Sequence, residues 1–180
     1  MSEADTQPAL PAVRTLPVAQ SGWRWLTLTA LVIASDQLVK AWVVQHFALL
    51  ERVRVLSVLD LILTYNTGAA FSFLADADGW QRWLFVALAL AVSAGLIGWM
   101  RQLRAATQSL LACGLSLIVG GALGNMIDRL LHGRVVDFVH AHWYGHYFPA
   151  FNVADSAITV GAGLLILDAL LESRRARRTP

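Results

Sequence analysis

The sequence predicts an α-helical polytopic membrane protein of four spans, with a small β-sheet cradled on the outer membrane surface. Three observations carry that expectation. The 180 residues are 57% hydrophobic and only 14% charged, with a mean hydropathy of +0.56, whereas soluble domains carry about a quarter charged residues. Four apolar runs approach or exceed the ~20 residues a bilayer requires, near 23–44, 81–100, 110–127 and 153–171. Between the first two runs, apolar residues recur at period two instead of at helical spacing.

The first 22 residues are polar and carry Pro8, Pro11 and Pro17. They lack the basic segment, short apolar core and small-residue cleavage site of a secretory signal, so they read as a disordered tail before a retained anchor. The four runs are apolar all round, as spans are, without the one-sided stripe of a surface helix. An even number of spans puts both termini on one side. Arg14, Arg24, Arg101, Arg104 and four tail arginines place eight of fourteen basic residues there. The positive-inside rule makes that side the cytoplasm, so the connections at about 45–80 and 128–152 face outward. Trp23, Trp25, Trp42, Trp80, Trp83 and Trp99 fall near span ends, and Trp143 falls in an outer connection, an arrangement that matches an interfacial aromatic belt. In the first outer connection Arg52-Val53-Arg54-Val55 and Leu59, Leu61, Leu63 and Tyr65 alternate as short strands with one apolar face. Asn66-Thr67-Gly68 then ends the run as a turn. The organisation expected is a cytoplasmic tail over 1–22, one membrane domain over 23–171 and a basic cytoplasmic tail over 172–180.

The formal charge of +2 does not indicate nucleic acid as a partner. The basic residues sit at the ends of apolar runs, where they meet anionic lipid headgroups. Cys113 stands alone in an apolar stretch and reads as a small buried hydrophobe. No zinc-finger spacing or glycine-rich phosphate loop occurs.

Carboxylates in or beside a bilayer are costly, and their default reading is functional. Asp36 and Lys40 stand four apart near the outer end of the first span, the spacing of a self-neutralising pair that fixes helix packing. A serine–lysine arrangement with Ser72 or Ser156 stays open, since Ser35 points elsewhere on that helix. Asn125, Asp128 and Arg129 share one face of the third span's outer end, and Asn152 and Asp155 repeat the i, i+3 spacing on the fourth. These groups read as interhelical glue or substrate positioning, with Arg129 pairing a carboxylate or donating to a carbonyl or headgroup. Asp137 and Asp155 have no adjacent cation in sequence and lie where water and a bound peptide both reach. Two close carboxylates share one proton, so the charged member can activate water while the neutral one polarises a carbonyl. Position alone fits an aspartyl protease and a proton or ion translocator equally well. His132, His140, His142 and His146 in or near the last outer connection make zinc conceivable, but at no established motif spacing. Asp168 and Glu172 balance the arginine tail.

Five segments occur in the order seen in bacterial lipoprotein signal peptidase, also called signal peptidase II. They are Ser35-Asp36-Gln37-Leu38-Val39-Lys40, Asn66-Thr67-Gly68-Ala69-Ala70-Phe71-Ser72, Gly120 through Arg129, Val135-Val136-Asp137-Phe138 and Phe151-Asn152-Val153-Ala154-Asp155-Ser156-Ala157. The chain resembles that family over about residues 23–171. The resemblance implies a cofactor-free aspartyl endopeptidase of the bacterial inner membrane, with its active site at the periplasmic face. It would cut diacylglyceryl-modified prolipoproteins just before the lipid-bearing cysteine, act as a monomer among membrane lipids, and be inhibited by globomycin. It further implies catalytic roles for Asp137 and Asp155, and roles in shaping the site or holding substrate for Asn66, Gly68, Asn125, Asp128, Arg129, Asn152 and Ala154. Asp36 and Lys40 would be structural or supporting, with no metal. The alternative from another class is a small proton-coupled transporter or channel using the same carboxylates.

Overall fold

The computed structural model describes residues 16–68 and 78–177. Ser72 and most of the N-terminal tail lie outside the described residues. Four long helices form the body: α1 (Leu26–His46), α2 (Trp80–Met100), α3 (Ser109–His132) and α4 (Val153–Ala176). Each is long and apolar enough to cross a membrane. α3 is the central helix and packs on the other three. It buries ten residues, against three to five on each neighbour.

Small residues make that packing possible. A Cβ on Gly121 would collide with the Ala154 carbonyl, and one on Gly124 would stand 2.9 Å from an Asp36 oxygen. The absence of side chains at these two turns lets α4 and α1 approach α3 closely, just below the residues that carry the polar site.

A four-stranded antiparallel sheet caps the end of the bundle where α1 and α3 finish and α2 and α4 begin. Its order is β1 (Arg52–Leu56), β2 (Leu59–Asn66), β3 (Val135–Trp143) and β4 (His146–Tyr147). One half of the sheet is the expected pair of strands. The other half comes from the connection before α4, where the sequence shows no clean alternation because Val135, Val136, Asp137 and Phe138 are all buried. An irregularity in β2 moves the register from Leu61↔Val139 to Thr64↔Asp137. One face of the sheet seats on α1, where Leu63, Val136 and Phe138 cluster with Val43 and draw in Val39 and Phe47.

At the opposite end of the bundle, residues 18–25 form two 3-10 turns, and Ser21 bridges to Arg104. Gly22 donates to the Leu103 carbonyl at 3.0 Å and the Trp23 indole donates to the Ile97 carbonyl at 2.9 Å. The segment just before residue 22, expected to be disordered, is therefore ordered from Pro17 onward. Pairing with the α2–α3 connection satisfies its backbone groups, a partner that local composition does not reveal.

Candidate active site

Three chain turns deliver the polar residues to one place. α3 ends at Gly133, whose left-handed φ of 72° lets the chain reverse into β3 while its N–H donates to the Arg129 carbonyl. Two residues into that strand stands Asp137, opposite Thr64. α4 begins with a capping box, in which the Asn152 side chain accepts from the Asp155 N–H and the Asp155 carboxylate accepts from the Asn152 N–H. The box fixes the Asp155 side chain at a helix N-terminus, where negative charge is favoured.

Two asparagines join the acids. Asn152, fully buried, donates from Nδ2 to Asp137 Oδ1 at 2.7 Å and to Asn125 Oδ1 at 3.1 Å. Asn125 in turn donates from Nδ2 to Asp155 Oδ1 at 2.7 Å. Asp137 and Asp155 thus stand at the two ends of a bridge of paired amides, and both line the same cavity.

Behind this bridge lies a buried ion cluster. Lys40 Nζ lies 2.7 Å from Asp36 Oδ2 and 2.9 Å from Asp128 Oδ2, and donates to Asn125 Oδ1 at 2.9 Å. Gln37 donates to Asp128 Oδ1 at 2.9 Å, and the Ala154 N–H donates to Asp36 Oδ1 at 2.9 Å. The Val136 N–H donates to Asp128 Oδ2 at 3.1 Å, tying β3 to α3 one residue from Asp137. Holding the Asn125 oxygen, Lys40 leaves that amide's N–H groups to face Asp155. The pair expected at i, i+4 is therefore three-membered, and it orients the site from below. Ala154 is fully buried against α3 and contributes its backbone N–H.

Burial, with the neighbouring Asp155 charge second, pushes the Asp137 carboxyl up to about 7 against the pull of the Asn66 and Asn152 side chains and Lys40. Near neutral pH the Asp137 carboxyl therefore populates both its forms.

The cavity encloses about 920 Å³ and runs from Thr64 and His140 on the sheet, past both acids, to Thr159 and Val160 on the exposed face of α4. Asn66 lines it and accepts from the Gly68 N–H at 2.9 Å, closing a tight turn. Arg129 also lines it. Its guanidinium donates to the Gly68 carbonyl at 2.7 Å and lies 4.9 Å from the Phe85 ring centroid. Arg129 thus serves a carbonyl of its own chain and clamps the 66–68 turn to α3.

The other sequence candidates are engaged elsewhere, although Ser156 and His140 also line the cavity. Ser35 and Ser156 donate to helical carbonyls one turn back, and Lys40 is enclosed by its acids. His142 approaches Asp60 at 3.3 Å and His140 stacks on Tyr147. Among the described residues no group of three His, Cys, Asp or Glu side chains is placed to hold a metal. Two buried polar residues escaped the sequence reading. Gln37 is polar within a span, which was a usable signal. Asp60, 1% exposed beneath Arg52, Arg54 and His142, was readable as a lone acid in an apolar strand.

A family model described as signal peptidase (SPase) II matches residues 28–171. The lipoprotein signal peptidase of Shewanella pealeana is 48% identical over 159 residues, covering 88% of this chain and 93% of that protein. The lipoprotein signal peptidase of Pseudomonas aeruginosa strain PAO1 is 51% identical over 146 residues, covering 80% and 86%. A solved structure described as a bacterial membrane enzyme, obtained by the in meso method at 2.3 Å resolution, superposes with a TM-score of 0.75 at 27% identity. That match covers 88% of this chain and 93% of the other.

Proposed function

This chain belongs to the signal peptidase II family, whose work is the removal of signal peptides from prolipoproteins, and we propose that it does so as an aspartyl endopeptidase with Asp137 and Asp155 as its dyad. The observation that carries the reading is the placement of both acids in one cavity that reaches the exposed face of α4. A translocator would hold its acids near the bilayer midplane. These acids cluster at one end of the spans.

In this reading Asp137 carries the shared proton and Asp155 takes a proton from a water held between them. The water oxygen attacks the scissile carbonyl carbon while the Asp137 hydroxyl donates to the carbonyl oxygen. Collapse breaks the carbon–nitrogen bond: the proton held by Asp155 passes to the leaving nitrogen, which becomes the amine of the lipid-bearing cysteine, and a hydroxyl of the intermediate returns its proton to Asp137 as the new carboxyl group forms. Asn125 and Asn152 hold the carboxylates in place, Lys40 and Asp128 hold the asparagines, and Arg129 with Asn66 and Gly68 shapes the cavity wall.

The substrate is a prolipoprotein whose cysteine already bears a diacylglyceryl group. Its signal peptide is an apolar helix, and its lipid adds apolar area that keeps it in the bilayer, so it reaches the cavity by lateral diffusion. The site end of the bundle is the periplasmic end of an inner-membrane protein, with both termini cytoplasmic. The enzyme acts as a monomer without a metal, and globomycin blocks it.

The test is cleavage of a diacylglyceryl-modified prolipoprotein by purified protein in detergent, wild type beside Asp137→Asn and Asp155→Asn. Loss of cleavage in both variants, with chelator having no effect on wild type, supports the dyad. Cleavage surviving either substitution rejects it.

A further inference from the structure

Phe148 lines the main cavity and also a second, shallower hollow of about 440 Å³. The dyad and the ion cluster do not use it. Val58, Ala141, Trp143, Tyr147 and Phe148 line it. Trp143, Tyr147 and Phe148 are each more than half exposed. Strand β3 connects the two spaces, with Asp137 at the dyad, His140 in the main cavity and Ala141 through Trp143 in the second hollow.

Ring contacts brace the hollow. Tyr147 stacks on His140 with centroids 5.0 Å apart, tilts against His142 at 5.4 Å, and carries the Arg52 guanidinium 4.9 Å from its ring centroid. The hairpin tip pairs Trp143 with His146 across Tyr144 and Gly145, both at positive φ of 45° and 81°. Two such residues make the turn type whose twist suits a tight hairpin, here with an aromatic side chain at a strained position.

Direction follows from the membrane. One end of the main cavity is Thr159 and Val160 on a span, and the other is the sheet. A signal peptide lying in lipid occupies the α4 end, so the chain beyond the scissile bond must leave along β3. Ala141 to Trp143 stand four to six residues past Asp137, about 13–20 Å at the rise of a strand. An extended substrate covers that distance in the same number of residues.

We propose that this second hollow is a binding subsite for the mature segment of the substrate, taking an apolar or aromatic side chain four to six residues downstream of the lipid-bearing cysteine. The proposal rests on the peptidase reading. The subsite contacts substrate and transition state alike, so it lowers KM and leaves kcat unchanged.

The experiment uses the full chain and two diacylglyceryl-modified prolipoproteins, one ending two residues after the cysteine and one extended to ten with leucines at the fourth to sixth. Wild type should show a KM lower by about fivefold for the long substrate, as expected for one half-covered apolar side chain. Trp143→Ser, and separately Val58→Glu, should abolish that advantage without altering cleavage of the short substrate. Equal KM values for the two substrates in wild type would overturn the subsite alone, as would variants that affect both substrates alike. Cleavage of neither substrate would overturn the peptidase reading and the subsite with it.

Discussion

Replacing Lys40 with methionine keeps the apolar stem and removes the ammonium from the most enclosed ion cluster among the described residues. The Lys40 side chain is 4% exposed, and its partners Asp36 and Asp128 are 0% and 3% exposed. The substitution leaves two carboxylates without their cation and the Asn125 oxygen without its charged donor. Breaking a buried pair from one side costs about 3–5 kcal/mol, because the charge left behind cannot reach water. Proton uptake by one of the acids would offset part of that cost. At about 2–4 °C per kcal/mol for a chain of this size, the melting temperature in detergent should fall by about 10 °C. The decisive control is the triple variant Asp36→Asn, Lys40→Met, Asp128→Asn, which removes all three charges and keeps the shapes. It should regain more than half of the loss, since neutral amides are far cheaper to bury than unpaired carboxylates. A Lys40→Met protein within ~1 kcal/mol of wild type, or a triple variant no more stable than the single one, would refute the argument that charge compensation holds these helices together.

The raised Asp137 carboxyl makes two pH statements. Cleavage that needs its proton should decline as pH rises through about 7, seen as a basic limb in kcat/KM against pH. A carboxyl raised from 3.8 to about 7 contributes stability that is fully present below pH 3.8 and is lost as pH rises through about 7. Asp137→Asn should abolish that slope in denaturation curves. Gly121→Ala would press a methyl group onto the Ala154 carbonyl, costing about 1–3 kcal/mol and lowering activity by shifting Asp155. Gly163→Ala meets nothing within 4 Å and should leave melting and cleavage close to wild type. Asn152→Ala removes a helix cap worth about 1 kcal/mol and the donor to Asp137, so kcat should fall far more than melting does. Ser156→Ala should cleave normally. A dead Ser156→Ala protein would reopen the serine–lysine alternative.

Much of the architecture was legible because its signals are local. Four spans follow from unbroken apolar runs, and the first two strands from alternation between Arg52 and Tyr65. The other two strands were not legible, because β3 is buried on both faces over its first four residues and so loses its alternation, and β4 is only two exposed residues. The order before Gly22 was hidden for a related reason: the groups that pair with Gln20 and Gly22 lie beyond residue 100. Arg129 was expected to meet a carboxylate, a substrate carbonyl or a headgroup; it feels the charges of Asp155, Asp137 and Asp128, and its direct hydrogen bonds go to the Gly68 and Asn125 carbonyls of its own chain.

The sequence by itself determined which residues are expensive in a membrane, and therefore that Asp36, Lys40, Asp128, Asp137 and Asp155 each need a reason to be there. Helical spacing also determined that Asp36 meets Lys40 and that Asn152 and Asp155 share one face of the fourth span's outer end. Only the tertiary structure decided what those residues do to one another. It brings the Ala154 N–H to Asp36 across 118 residues and Lys40 to Asn125 across 85. It also aligns the two asparagines into one bridge between the acids. The physical reason is that burial and charge compensation sum over neighbours in space. A carboxyl moved to about 7 records a whole environment, and no stretch of chain around Asp137 contains it.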